Sequence, residues 1–193
     1  MKPTIILLVT ILFVFAGCQK SNTKNRYDNH FKLNEENHAI EKAAMIELVG
    51  NDLLNDMKVV LFASEGIRFD TDINRELQIR GQGKLMGFII YSENPSQLDK
   101  GNHYINLRPP YEKGDVALGF YSLDWNEEDE LLRYEENNGS VILAGKVSIL
   151  ENQELTNLSF DFTVEDGNIL TGSYQGEFQK NMIYKTDHID LEN

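Results

Sequence analysis

The densest set of side chains able to do chemistry is an acidic run in which Asp124, Asn126, Glu128 and Glu130 stand at alternate positions, with Glu135 further on. Oxygen ligands at those intervals are what a twelve-residue calcium loop presents, and Leu131 falls at the apolar position of such a loop. The sharp turn inside that loop requires Gly at its sixth position, where this chain has Asp129, and no helical pattern flanks the run. The run therefore reads as a solvated loop, with looser Ca²⁺ binding by the same five residues as the alternative. Embedded in it is Trp125, the single tryptophan. Together with Tyr121 it could stack on a sugar ring, because aromatic faces give flat apolar contact beside polar partners. The sequence places Trp125 in an exposed loop; the competing reading folds it back over a sheet edge.

Other motifs fall short of their chemistry. Gly81-Gln82-Gly83 with Gly87 approaches a dinucleotide loop, but the third glycine comes one position late, and a strand pattern follows where a helix N-terminus must hold phosphate. The span from Gly139 to Gly145-Lys146 is one residue too long for a Walker loop and puts Val147 where Ser or Thr would bind Mg²⁺. His30, His38, His103 and His188 are scattered, without the helical spacing of a zinc or acid–base pair. Two carboxylates could meet across a cleft as in a glycosidase, yet the sequence singles out no pair. No catalytic residue and no cofactor is assigned. The formal charge of −13 repels nucleic-acid phosphates and excludes DNA and RNA as partners.

The first residues carry an address. Lys2 precedes an almost unbroken apolar run from Ile5 to Ala16, interrupted only by Thr10. That run is shorter than the roughly 20 residues of a membrane-spanning helix and suits a cleaved signal. Small residues stand immediately before Cys18, the only cysteine. With Ala16, Gly17 and Cys18 as its cleavage box, and Phe15 where Leu is usual, the segment resembles a bacterial lipoprotein signal. The resemblance implies cleavage before Cys18 and its lipidation by thioether-linked and acyl chains such as palmitate, which together give stable anchoring. The alternative is an ordinary secretory signal with a chance cysteine. Gln19 rather than Asp follows the cysteine, so the expected destination is the outer membrane. Lys20, Lys24 and Arg26 stand where an acidic surface-export patch would lie, leaving periplasmic and cell-surface orientation both open. Cleavage removes one of 18 bases and no acid, so the mature charge is 17 − 31 = −14. A lipidated Cys18 leaves no disulfide, and the fold must rest on its core.

The expected organisation is a signal over 1–17, a lipidated cysteine and flexible tether over 18–37, one β domain over 38–185 and a polar tail over 186–193. About 150 residues suffice for one core that buries roughly two-thirds of the unfolded surface. Residues 40–49 fit a helix by propensity but alternate as a strand over Ala44–Val49, which is preferred, hairpinned to Lys58–Ser64. Lys84–Tyr91 is apolar on both faces and should be central in a sheet. Asn94-Pro95 marks a turn, and strands follow at Asn102–Leu107 and Val116–Leu123. Val141, Leu143, Val147 and Ile149 are expected on one face. Leu158, Phe160, Phe162 and Val164 alternate with polar residues, as do Leu170, Tyr174 and Phe178. Asp166-Gly167 predicts a type I′ turn between the last pair. About eight or nine short strands predict an all-β fold: an antiparallel β-sandwich, with a small lipocalin-like β-barrel as the alternative.

The tract from Gly139 to Phe178, ending Leu170-Thr171-Gly172-Ser173-Tyr174-Gln175-Gly176, resembles the closing β-meander of small β-rich lipoproteins of Bacteroidota. Gly66-Ile67, Gly81-Gln82-Gly83 and Gly101-Asn102-His103-Tyr104 fall where that family has turns. The family contributes no catalytic residues to carry over. The resemblance implies a non-enzymatic, lipid-anchored envelope protein that binds a glycan or another envelope protein. The alternatives are a subunit of an adhesive or fimbrial assembly that pairs through a strand edge, or a carboxylate-based hydrolase.

Overall fold

The computed structural model describes residues 28–49, 56–92, 97–129, 131, 139–151 and 155–185. Within them the chain is all β: β1 (His30–Leu33), β2 (Glu36–Ala39), β3 (Lys42–Val49), β4 (Met57–Ala63), β5 (Ile67–Thr71), β6 (Leu77–Gly81), β7 (Gly83–Tyr91), β8 (Gly101–Tyr104), β9 (Val116–Trp125), β10 (Ser140–Glu151), β11 (Thr156–Val164), β12 (Ile169–Gly176) and β13 (Gln179–Lys185). Eleven strands make one mixed sheet in the order β13-β3-β4-β7-β9-β10-β11-β12-β1-β2, with β8 paired to β10; β5 and β6 form a separate hairpin. The sheet curls into a half-barrel.

This corrects the expected architecture in three ways. There are thirteen strands where about eight or nine were expected, the additions being β1, β2, β5, β6 and β13. One pair, β13 with β3, is parallel, so the sheet is not purely antiparallel. One large curled sheet, with β5–β6 as a separate two-stranded sheet, forms a half-barrel that is not clearly a sandwich. Its two halves are joined where β10 pairs β9 through Ser140↔Tyr121 and Val141↔Phe120.

The core follows from period-two alternation on a curled surface. The inner, concave face gathers Met45, Val60, Phe62, Phe88, Val147, Phe160, Phe162, Leu170 and Tyr174. Phe62 on β4 meets Phe88 at 6.2 Å, Phe160 at 6.0 Å, Tyr174 at 5.4 Å and Phe178 at 6.0 Å between ring centroids, so one side chain ties strands from both halves. The outer face of β3, β4, β7 and β9 is buried too: Ile46, Val59, Leu61 and Leu85 pack with Ile67, Phe69 and Leu77 of the β5–β6 hairpin. Burial on both faces is why β4 and β7 read as continuous apolar runs. The strand reading of residues 40–49 holds as β3, paired antiparallel to β4. The expected turns at Asn51–Asp56 and Asn94-Pro95 lie largely outside the described residues.

Three local expectations change. The tether was expected to run to residue 37, but β1 pairs β12 and β2 pairs β1, with Phe31 fully buried. Phe31, with Leu33 packed beside it, anchors β1 to the inner core, and β2 turns His38 inward. Val141 and Leu143 do not share a face with Val147 and Ile149. A bulge between Ile142 and Ala144 turns Ile142 inward instead, with Gly145 beyond it at φ +124°. The β11–β12 hairpin forms as expected, but only Gly167 has positive φ (+80°), so the turn is not type I′. It is a longer loop closed by Val164 N–H to Asn168 O at 3.0 Å.

Candidate functional site

The acidic run begins on the last residues of β9. Asp124 is exposed and accepts a hydrogen bond from Gln82 Nε2 at 3.2 Å. Asn126 Oδ1 accepts the Glu128 backbone N–H at 3.0 Å, and Asp129 Oδ2 accepts that of Asn126 at 2.8 Å. Asp129 therefore caps the turn at the position where a calcium loop needs glycine. The oxygens of Asn126 and Asp129 are spent on their own backbone, and among the described residues no group of three His, Cys, Asp or Glu side chains could hold a metal. Glu130 and Glu135 lie outside the described residues.

Trp125 is not in an exposed loop. It ends β9, 3 % exposed, packed with Leu131 in the outer core, and its Nε1 finds no acceptor among the described residues. Tyr121 is buried in the inner core. Between them the β7–β9 register slips from Gly83↔Trp125 to Leu85↔Ser122, inserting an extra residue in β9 and sending the two rings to opposite faces. The expected stacking platform of Trp125 and Tyr121 is thus replaced by two interior residues.

The open surface lies on the other half. Among the described residues no hairpin covers the outer face of β8, β10, β11, β12 and β1, and beyond the Ile142–Ala144 bulge its register is regular. Asn102, Ser148, Ser159, Ser173 and His30 make one row across the strands. Tyr104, Lys146, Asp161, Thr171 and Lys32 make the next. Ser148 Oγ donates to Asn102 Oδ1 at 2.7 Å. Tyr104 is 58 % exposed at the edge of this face. Among the described residues paired in these strands, Asp161 is the one carboxylate that the register puts there, in a chain with 31 acids. Neighbouring strands are about 4.8 Å apart, close to the length of one pyranose unit, so a row offers one polar side chain per sugar.

No family model, curated protein or solved structure matches this chain. Its function must be read from its own geometry.

The remaining singled-out residues have structural placements. Gly81 (φ +93°) and Gly83 shape the β6–β7 turn; a Cβ at Gly81 would sit 2.2 Å from Gly66 O and one at Gly83 2.4 Å from Ser64 Oγ, so the first admits neighbouring backbone and the second a side chain. Lys146 of the Walker-like span lies exposed on strand β10. His103, 6 % exposed, points inward from β8, with Nδ1 3.0 Å from Gly114 O and Nε2 2.7 Å from Asp99 O, clamping the strand to two loops. His30 is at the start of β1, its Nδ1 2.9 Å from Asp28 O. His188 and Cys18 lie outside the described residues. No helix of the described residues is long and apolar enough to cross a membrane.

His38 is the histidine that sequence reasoning passed over. It faces inward from β2, 2 % exposed, with Nδ1 2.8 Å from Lys84 Nζ and 3.8 Å from Glu36 Oε1. Burial lowers its pKa, the Lys84 ammonium lowers it further, and Glu36 opposes them. Its only signal in the sequence was alternation with Asn37 and Ala39, too weak to find unaided.

Proposed function

We propose that this chain is a lipid-anchored, non-enzymatic protein of the outer membrane, held through Cys18, that binds a glycan on the convex face of β8, β10, β11, β12 and β1. The observation that carries the binding reading is that face itself. Among the described residues nothing covers it, it is nearly free of carboxylates and ordered in polar rows, and it is edged by the ring of Tyr104, 58 % exposed. Hydroxyl and amide side chains exchange hydrogen bonds with a polyol at little electrostatic cost, while an aromatic edge supplies apolar contact for a sugar face. The anchor rests on the resemblance of Ala16-Gly17-Cys18 to a lipoprotein cleavage box.

Two measurements test the parts separately. Growth with labelled palmitate should label the wild-type chain and not Cys18→Ala; an unlabelled wild type removes the anchor. Native electrophoresis through gels containing dextran, arabinoxylan or galactomannan should retard the protein, with retardation lost in Tyr104→Ala. Unchanged mobility in all three gels, with a protein crosslinked to this face in native membranes, would replace the glycan with another envelope protein.

A further inference from the structure

We propose that the contact between His38 and Lys84 is an acid-sensitive latch that holds the β1–β2 hairpin against the rest of the curl. Among the described residues β2 ends the sheet, paired on one side to β1. Across the interior, Lys84 at the start of β7 reaches His38 at 2.8 Å, linking the last strand of one half to a central strand of the other. The root of that lysine is fixed, since its backbone N–H donates to Ser64 Oγ at 2.9 Å. An ammonium can only donate, so Nδ1 must accept, and the imidazole must be neutral with its hydrogen on Nε2. Nε2 has no partner among the described residues, so Lys84 rather than any Nε2 acceptor dictates this tautomer.

Adding a proton to His38 would set one donor against another and two cations side by side. Among the described residues the charged groups that face it are Lys84 from β7 and Glu36 from its own strand, and β1 presents the ring of Phe31, 5.0 Å away. Glu36 is 71 % exposed, so solvent screens its attraction, while the buried ring cannot recover its hydration. Protonation therefore favours release of the hairpin. Opening would lengthen the segment between Cys18 and the core, and would uncover the backbone edge of β12 together with the seat of Phe31. The latch itself does not depend on the anchor or on glycan binding.

The sign follows from linkage. The closed state holds the His38 pKa below the ordinary value of about 6.5, so closure is at full strength above that pH and is lost as pH falls towards the closed-state value. The ratio of open to closed hairpin then rises up to about tenfold for each pH unit below about 6.5.

Amide hydrogen exchange on the full chain, corrected for the intrinsic pH dependence of exchange, tests this. Between about pH 7.5 and about pH 5, peptides covering 30–39 and 169–176 should lose protection while β4 and β7 do not. In His38→Gln, whose amide oxygen still accepts from Lys84 but does not titrate, that response should vanish. An unchanging 30–39 segment in the wild type, or an equal response in His38→Gln, would overturn the latch. If His38→Gln does not fold by circular dichroism, Lys84→Met decides. With no cation beside the ring its response should be smaller than the wild type's, burial alone remaining to oppose protonation, and a response equal to the wild type overturns the proposal.

Discussion

Phe62→Ala is the substitution that most directly tests whether the curled sheet is one cooperative unit. Phe62 is fully buried on β4 and touches four rings, of which Phe160, Tyr174 and Phe178 belong to the far half of the chain. Truncating a buried Phe to Ala costs about 3–5 kcal/mol, and aromatic pairs add roughly 0.5–1.5 kcal/mol each without being additive. β4 is hydrogen-bonded on both sides, to β3 and to β7, so the backbone has little freedom to collapse into the void. That places the loss at about 4 kcal/mol, a large share of the roughly 5–15 kcal/mol available to a domain. Guanidinium unfolding, followed by far-ultraviolet circular dichroism and by tryptophan fluorescence, should give one coincident transition with its midpoint lowered by about 1 M, taking a slope of about 4 kcal/mol/M. Tyr104→Ala, on the solvated face, should stay within about 0.5 kcal/mol of wild type. A loss below about 1.5 kcal/mol would mean that the rings do not bridge the halves. Transitions that separate by probe would mean that the halves unfold independently.

Two further outcomes follow from individual side chains. Burial, and then the neighbouring Glu177 charge, push the Tyr174 phenol up to about 12, and its OH donates to Glu177 O at 2.7 Å. Because the folded state keeps this proton longer than the unfolded chain does, the stability it contributes is complete below about pH 10 and is lost as pH rises towards about 12. Urea midpoints measured across that window should fall less steeply in Tyr174→Phe, and an identical slope in the two proteins would refute the assignment. Trp125, 3 % exposed, should emit at short wavelength and resist iodide quenching; a red-shifted, readily quenched emission would put the ring back in solvent.

What the sequence made legible was whatever tertiary context could not override. Lys84–Tyr91 had to be central because Leu85 and Ile89 are as apolar as Met86, Phe88 and Ile90, and β7 does lie between β4 and β9. The alternation of Leu158, Phe160 and Phe162 survives as inward side chains on β11. The losses have a common cause. β1, β2 and β13 each carry few buried residues; β1 and β13 are held by partners distant in the chain, β12 and β3, and β2 joins the sheet through β1. The hairpin of Ile67, Phe69 and Leu77 did alternate, but its apolar residues serve to cover a sheet, a demand visible only once β4 and β7 are known to need both faces buried.

The candidate site depends on two single-residue irregularities that no local pattern announces. One extra residue in β9 turns Trp125 to the outer core, where the β5–β6 hairpin already shields that side of the sheet. Another in β10 turns Ile142 inward and leaves Leu143 43 % exposed. Beyond that bulge the alternation runs unbroken through Lys146, Ser148 and Leu150, opposite Asp161, Ser159 and Asn157. Removing either bulge would exchange the faces of every residue beyond it, because side chains alternate with period two. The outer surface is therefore divided between a half closed by its own hairpin and a half whose polar rows remain in register and uncovered. Among the described residues this half stays uncovered, ordered and nearly clear of carboxylates in an acidic chain, which is why the proposed glycan contact is placed on it.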